Sequence, residues 1–317
     1  MKKGYKKMMV FTLSSSLLVG GCTGMDNLTS KEKVEVKEPS TENKKNAYET
    51  ENFVRIQDYT GEGYKLRESR PETGKLAEEH RGEIEEAVQE FFLSNYKTEV
   101  IVHNIVGAVD GATVFVESVG EPHFYTYAII SIDVDSGTVE TDEVWSEEGQ
   151  VENAIQGALY AMIYEHEFAT LDKYLESILQ NHPVVGVPVE AVEKVGGSGF
   201  SSSVYRTSKL GNEFQGIYDM YLENPEISKE ELKKNLSKAD FKPNQMLILI
   251  ELYMKESDTE PDHAVFDKIV SDIKEMEGIP RGAYTIILND NLIDKRRGIG
   301  TKDNTLESMN PNEIIKE

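Results

Sequence analysis

The chain has 317 residues and carries 34 Lys and Arg against 57 Asp and Glu, a formal net charge of −23. This length is sufficient for one large domain or two small ones with a real hydrophobic core. The acidic balance excludes nucleic acid as an expected partner, because binding to DNA or RNA needs a basic face that releases counterions. The single Cys excludes an intramolecular disulfide, so the fold must depend on packing.

The first 22 residues have the pattern of a secretory signal. Four lysines precede an apolar run from Met8 to Val19, and Gly20, Gly21 and Cys22 follow that run. The run contains about a dozen residues, whereas a transmembrane helix needs about 20. The pattern therefore predicts a signal peptide over residues 1–21 rather than a permanent membrane span.

The residues that precede Cys22 resemble the lipobox of bacterial lipoproteins, with an aliphatic residue three positions before the Cys and two glycines directly before it. In that family the Cys thiol receives a diacylglyceryl group, and cleavage leaves the Cys as the new N-terminus. The resemblance implies cleavage between Gly21 and Cys22 and a stable lipid anchor on the extracytoplasmic face of the cell membrane. The other interpretation is an ordinary secreted protein with a free or buried thiol.

Residues 22–50 predict a flexible tether between this anchor and the body of the protein. They are rich in Lys, Glu, Ser, Thr and Asn and have few bulky apolar residues, so they cannot offset the entropy lost on ordering. Removal of residues 1–21 takes away four lysines and no acidic residue, which leaves a strongly acidic mature chain. That charge either attracts cationic partners and divalent ions or only maintains solubility.

The body predicts an α+β fold, with a helix and an antiparallel meander over residues 51–147 and a mostly helical region over residues 148–300. Apolar residues from Leu76 to Tyr96 recur at helical spacing. Turn residues at Asp110-Gly111 and at Asp135-Ser136-Gly137 predict two hairpins. This order of a helix and a meander resembles cystatin-like and PepSY-like exported modules. The two regions form either two subdomains or one domain.

The second region contains a predicted β-α-β unit. Residues 150–180 predict one long helix or two consecutive helices. Further on, apolar strands at Gln245–Tyr253 and Ala283–Leu288 flank an amphipathic helix at Asp262–Met276, an order that would place the two strands side by side and parallel. Residues 301–317 predict a polar tail.

Two glycine-containing segments have more than one interpretation. The segment Tyr59–Tyr64, which contains Gly61 and Gly63, could stack its aromatic rings on a flat ligand or form a tight turn with tyrosines on its rim, and the turn is favoured. The segment Gly196–Ser203 approaches a nucleophile elbow, but Phe200 replaces the last glycine of G-x-S-x-G. We therefore predict a surface loop there.

No metal or catalytic motif is complete. The triplet Glu165-His166-Glu167 would need a His in place of Thr170 to form the helical zinc motif H-E-x-x-H. Four acidic residues lack the spacing of an EF-hand and instead predict a hairpin turn: Asp133, Asp135, Asp142 and Glu143. The six histidines lack ligand spacing: His80, His103, His123, His166, His182 and His263. The sequence assigns no catalytic, cofactor-binding or metal-binding residue, and Cys22 is the one predicted site.

The lipobox, the tether, the Tyr59–Tyr64 segment and the α+β body together resemble an uncharacterised lipoprotein family of low-GC Gram-positive bacteria with no established activity. The resemblance implies where the protein is located, at the cell envelope, but implies no reaction or ligand. We favour a non-catalytic binding protein of the cell envelope, with an envelope protein, a peptide or a wall component as partner. The alternative is an envelope hydrolase or transferase with dispersed acidic catalytic residues. A solute receptor is less favoured because repeated parallel βα units are not obvious.

Overall fold

The computed structural model describes residues 41–197, 199–211, 213–236, 242–309 and 312–317. The predicted signal peptide, Cys22 and most of the predicted tether lie outside these residues. The described helices are α1 (Thr41–Asn52), α2 (Pro71–Glu79), α3 (Arg81–Tyr96), α4 (Gln150–Ile163), α5 (Glu165–Asn181), α6 (Val189–Val195), α7 (Gln215–Glu223), α8 (Lys229–Leu236) and α9 (His263–Glu275).

The described strands belong to a two-stranded ribbon, a four-stranded sheet and a six-stranded sheet. They are β1 (Phe53–Arg55), β2 (Val100–Gly107), β3 (Gly111–Ser118), β4 (Tyr125–Asp133), β5 (Thr138–Trp145), β6 (Val184–Val185), β7 (Tyr205–Lys209), β8 (Met246–Met254), β9 (Gly282–Asn289), β10 (Leu292–Asp294), β11 (Leu306–Ser308) and β12 (Ile314–Lys316). Helices make up about 40% and strands about 27%, so the fold is mixed α+β, as the sequence predicts.

The helix α1 corrects part of the predicted tether. Residues 41–50 were expected to be flexible because they contain few bulky apolar residues. A short helix is marginal in isolation, but α1 is held against the body at its C-terminal half. The Tyr48 hydroxyl donates to Asp294 Oδ2 at 2.9 Å, and the ring of Tyr48 packs edge-on against Phe53.

The four-stranded sheet confirms the predicted helix and meander. Its strand order is β2-β3-β4-β5, with every neighbouring pair antiparallel. The predicted hairpin turn at Asp133 is confirmed, since Asp133 Oδ1 accepts from the backbone amides of Asp135 and Ser136. The helix predicted from Leu76 to Tyr96 is divided at His80 into α2 and α3.

The six-stranded sheet confirms the predicted β-α-β unit, because β8 and β9 are parallel neighbours joined through α9. The strands β6 and β7 pair antiparallel with β8. The predicted polar tail over residues 301–317 is wrong, since β11 and β12 both pair antiparallel with β9. Ile314 is buried in the main core and the partly buried Leu306 packs against that core, and these apolar contacts favour the pairing.

One continuous hydrophobic core joins the two predicted regions. The helix α4 contacts β4 of the four-stranded sheet and β7 of the six-stranded sheet. Its residues Ile155 and Leu159 are fully buried in the same cluster as Ile130 and Ile286. The alternative of two consecutive helices over residues 150–180 is confirmed, whereas the division into subdomains stays a prediction.

None of the described helices has the length and apolar character needed to cross a membrane.

Candidate functional site

A cavity of about 210 Å³ lies where the six-stranded sheet, α6 and the β1–β10 ribbon meet. We call it the Tyr59 pocket. Its apolar wall is formed by Val187, Ala191, Val192, Val195, Val204 and Ile293. Its polar groups come from Tyr59, Ser201, Ser202, Ser203, Arg206 and Glu251. A cleft that combines an apolar wall with a few converging polar groups is a usual form of a small-molecule site.

The predicted tight turn at Tyr59–Tyr64 is confirmed and brings Tyr59 to this cavity. Gly61 and Gly63 have φ values of +84° and +83°, a region that favours glycine. A Cβ on Gly61 would lie 2.8 Å from Cβ of Lys194, so only glycine lets the turn pack this closely on α6. The turn therefore fixes the position of Tyr59 relative to the wall that α6 provides.

The segment Gly196–Ser203 is not the predicted surface loop. Gly199 is buried and exchanges two backbone hydrogen bonds with Tyr125 of β4, at 3.0 and 2.9 Å. Phe200 accepts a backbone hydrogen bond from Thr207 of β7. The described residues of this segment thus connect the two large sheets and form one side of the Tyr59 pocket. Ser198 lies outside the described residues.

The hydroxyl group of Tyr59 is buried without a hydrogen-bond partner among the described residues. Tyr59 is only 2% exposed, and burial raises the pKa of its phenol far above the usual value, so the group remains a neutral donor. Its oxygen lies beside Gly298, which also lines the cavity. A buried hydroxyl without a partner costs about 1–3 kcal/mol, and an acceptor placed in the cavity would remove that cost.

The carboxylate of Glu251 is held at another side of the cavity by hydrogen bonds to both of its oxygens. Oε1 accepts from the Tyr253 hydroxyl at 3.0 Å and from Asn289 Nδ2 at 3.2 Å. Oε2 accepts from Arg206 Nη1 at 2.7 Å. Glu251 is 9% exposed, so this network satisfies a charge that would otherwise be costly to bury. The guanidinium of Arg206 retains further donors for a ligand.

A second group of interacting side chains, which we call the Glu117 cluster, lies on the four-stranded sheet. The Nε2 atom of His103 is 2.7 Å from Oε2 of Glu117, and the Nε2 atom of His123 is 2.8 Å from Oε1. The Tyr125 hydroxyl donates to the same Oε1 at 3.3 Å. The structure therefore brings together, on one carboxylate, two histidines that lack ligand spacing in the sequence.

The Glu117 cluster holds a carboxylate in its ionised form. Burial by itself would raise the pKa of Glu117, but hydrogen bonds from His123 and His103 outweigh burial and hold the pKa below its usual range. Within the described residues, no serine, threonine or cysteine joins these hydrogen bonds. No three His, Cys, Asp or Glu side chains in the described part of the chain are arranged to hold a metal ion. Among the described residues, the cluster therefore has a carboxylate and two imidazoles but no paired nucleophile.

The remaining candidate motif forms surface ion pairs. Glu165 pairs with Lys229, and Glu167 lies 3.9 Å from Lys233, so the triplet at the start of α5 links that helix to α8. These contacts agree with a structural role rather than with metal binding.

These observations define a mixed α+β protein with a small, partly open cavity. The chain belongs to the family described as "Protein of unknown function (DUF1672)", whose model matches residues 46–316. It is similar in fold to the crystal structure of a DUF1672 family protein from Staphylococcus aureus subsp. aureus Mu50. The two share 16% sequence identity with a TM-score of 0.68, over 84% of this chain and 98% of that chain. A search of curated proteins gives no match.

Membership in this family confirms the coarser part of the predicted resemblance. The chain belongs to an uncharacterised family that has a solved relative in a Gram-positive bacterium. The identity of 16% carries the fold alone.

Proposed function

We propose that this protein is a lipid-anchored protein of the cell envelope that binds a small, largely apolar molecule in the Tyr59 pocket and does not convert it chemically. The observation that carries the proposal is the buried Tyr59 hydroxyl, which has no hydrogen-bond partner among the described residues. Native proteins satisfy nearly all buried polar groups, and the exceptions call for an explanation. A ligand oxygen that accepts from Tyr59 provides one.

The size and lining of the cavity define the class of ligand. The cavity has a volume of about 210 Å³. This is below the range of about 300–1,000 Å³ that is typical of drug-sized ligands. The expected ligand is therefore small, mainly apolar, and carries a carbonyl, ether or hydroxyl oxygen. Among the partners suggested by the sequence, a small envelope component fits better than a folded protein.

The hydrogen bonds around the cavity favour binding over catalysis. Both oxygens of Glu251 accept hydrogen bonds from neighbouring side chains, so Glu251 is not poised as a free general base. The hydroxyl oxygen of Ser202 accepts from the backbone amides of Val204 and Tyr205 and lacks the adjacent base that activates a nucleophile. The alternative of an envelope hydrolase finds no nucleophile and base pair at this cavity among the described residues.

The location in the proposal is supported by the signal pattern and by the lipobox resemblance that ends at Cys22. Two acyl chains would hold the protein stably at the membrane, whereas one chain gives only marginal binding. The strongly acidic composition agrees with a soluble body outside that anchor.

The experiment uses the chain from residue 22, the product expected from cleavage. A library of uncharged fragments of up to about ten non-hydrogen atoms, each with one acceptor oxygen, is screened by ligand-observed NMR. We expect binders whose affinity falls about fivefold in Tyr59→Phe, the equivalent of one neutral hydrogen bond. Tyr48→Phe, a partly exposed tyrosine outside the cavity, is the control. Binders that respond equally to both variants, or no binders at all, would refute the proposal.

A further inference from the structure

A groove with reversed charge lies on the other side of the Tyr59–Tyr64 turn. The whole chain has 34 basic against 57 acidic residues. The groove has a volume of about 610 Å³, and among its lining residues Glu62 is the sole carboxylate. Its basic lining residues are Lys65, Arg70, Arg81, Lys194 and Arg296. Basic residues outnumber acidic residues five to one in this lining, so the local electrostatic potential is positive although the whole protein is strongly acidic.

Part of this positive charge is not neutralised within the molecule. Arg70, Arg81 and Lys194 form ion pairs with neighbouring carboxylates. In the described part of the chain, neither Lys65 nor Arg296 forms an ion pair. The Lys65 amide donates to the Arg296 carbonyl at 3.0 Å, so the two residues are neighbours across a backbone hydrogen bond.

The charge of the groove continues into a run of three basic residues, Lys295-Arg296-Arg297. A Cβ on Gly63 would lie 3.6 Å from the Lys295 side chain, which places that residue beside the groove. No ion pair of Lys295 or Arg297 is found among the described residues either. We call the groove and this run together the basic face.

The basic face contacts α1, the first helix that the structure describes. The Lys295 amide donates to the carbonyl of Asn52, the last residue of α1, at 2.9 Å. The Tyr48 hydroxyl of α1 donates to Asp294, the residue directly before the basic run. The helix α1 is the first described element after the predicted anchor at Cys22. In the sequence, residues 23–40 and this helix lie between the predicted anchor and Asn52, which contacts the basic face.

We propose that the basic face docks on anionic phospholipid head groups and so orients the tethered protein on the membrane. The inference rests on the proposed anchor at Cys22, which would supply the membrane proximity. Unpaired Lys and Arg side chains attract an anionic surface when they lie near it. The rest of the acidic body is repelled from the same surface, and this repulsion selects the single orientation in which the basic face meets the lipid.

The test measures binding of the chain from residue 22, without its lipid, to sedimented vesicles at low salt. One set of vesicles is phosphatidylglycerol and the other is phosphatidylcholine. We expect binding to phosphatidylglycerol alone, with loss at high salt because exposed charges are screened. A triple variant with Lys295→Gln, Arg296→Gln and Arg297→Gln should bind at least about tenfold more weakly. The matched control removes the same charge from three exposed lysines on other surfaces: Lys173→Gln, Lys242→Gln and Lys274→Gln.

The inference would be overturned if the protein did not bind phosphatidylglycerol vesicles, or if the two triple variants lost vesicle binding equally. It would also be overturned if glycerol phosphate shifted the NMR signals of Lys65 and Arg296 while vesicles did not bind. The last outcome would indicate a soluble phosphate ligand instead. The assay involves neither the lipid anchor on Cys22 nor the Tyr59 pocket. Its failure would therefore leave the proposed ligand binding intact, and the fragment screen tests that proposal separately. Thermal melts of both triple variants verify that they are folded.

Discussion

The hydroxyl oxygen of Tyr59 lies next to Gly298 in the Tyr59 pocket, although the two residues are far apart in the sequence. A Cβ on Gly298 would lie 3.2 Å from that oxygen. Gly298 has a φ of +65°, and its missing side chain leaves the space next to the unpartnered hydroxyl open. The contact links the turn after β1 with the loop after β10 and defines one end of the cavity.

Gly298→Ala should block ligand binding, because the added methyl group occupies the space beside the Tyr59 hydroxyl. Alanine at a positive φ also costs about 1–2 kcal/mol of folding stability. Gly278→Ala is the matched control, since Gly278 has a φ of +73° and open space where its Cβ would lie. We expect similar thermal destabilisation in both variants but a loss of fragment binding only in Gly298→Ala. Equal binding by both variants would contradict this role of Gly298.

Tyr59→Phe should leave the stability of the free protein unchanged or raise it slightly, because the lost hydroxyl has no partner among the described residues. Tyr284→Phe provides the contrast. Tyr284 is fully buried, and its hydroxyl donates to the Pro280 carbonyl at 2.6 Å. Loss of that bond should destabilise the protein by about 1 kcal/mol. Denaturant unfolding measures both effects, and a comparable loss in Tyr59→Phe would show that its hydroxyl has an internal partner.

Glu117→Gln should destabilise the protein by about 1 kcal/mol at pH 7, since it removes the charge that the two histidines stabilise. The pKa of Glu117 is lowered in the folded state, so its stabilisation is present above the unfolded pKa of about 4.3 and is lost as pH falls through the folded value. The stability difference between wild type and variant should therefore shrink below about pH 4.

The control for this pH dependence is Glu143→Gln, which changes an exposed carboxylate on the same sheet. Urea unfolding is followed from pH 7 to pH 3. A difference between wild type and Glu117→Gln that stays constant over this range would show that the ionised carboxylate is not stabilised in the cluster.

Leu159→Ala should destabilise the whole protein by about 2–5 kcal/mol, because Leu159 is fully buried in the core that joins both sheets. Leu93→Ala is the control, since Leu93 is 47% exposed and should change stability by less than about 0.5 kcal/mol. Calorimetry should show one transition that moves as a unit. Two separate transitions in Leu159→Ala would indicate that the two regions unfold independently.

Cys22→Ala should release the protein from the membrane fraction, because it removes the thiol that the lipobox resemblance implies is acylated. Labelling with a radioactive fatty acid should be present in the wild type and absent from the variant. Since an unprocessed signal peptide could hold the variant at the membrane, the processed length is determined by mass spectrometry. Lipidation would be refuted if the wild type carried no label, although it was correctly processed and bound to the membrane as strongly as Cys22→Ala.

Local signals in the sequence were sufficient for much of the fold. Asp110-Gly111 and Asp135-Ser136-Gly137 are turn sequences whose preferences act over a few residues, and both hairpins were predicted. The β-α-β unit followed from the order of two apolar strands around an amphipathic helix. In each case the residues that determine the structure are close together in the chain.

Structure that depends on distant partners could not be predicted in this way. The strand β12 is three residues long and is stabilised by pairing with β9, and α1 is held by Asp294. The Tyr59 pocket combines segments from across the chain. Part of the Glu117 cluster follows from the first hairpin, because the pairing of Ile101 with Glu117 brings His103 close to that carboxylate. A β-bulge between Val102 and Asn104 alters that register locally, and alternation alone does not reveal it.

The most direct test of the proposed ligand binding is a crystal structure of the chain from residue 22 soaked with the tightest fragment from the screen. Ligand binding in this pocket predicts that the fragment lies inside it, with its oxygen within hydrogen-bond distance of the Tyr59 hydroxyl and its apolar part against Ala191, Val195 and Ile293. A fragment bound elsewhere, with the Tyr59 hydroxyl still lacking a partner, would contradict it.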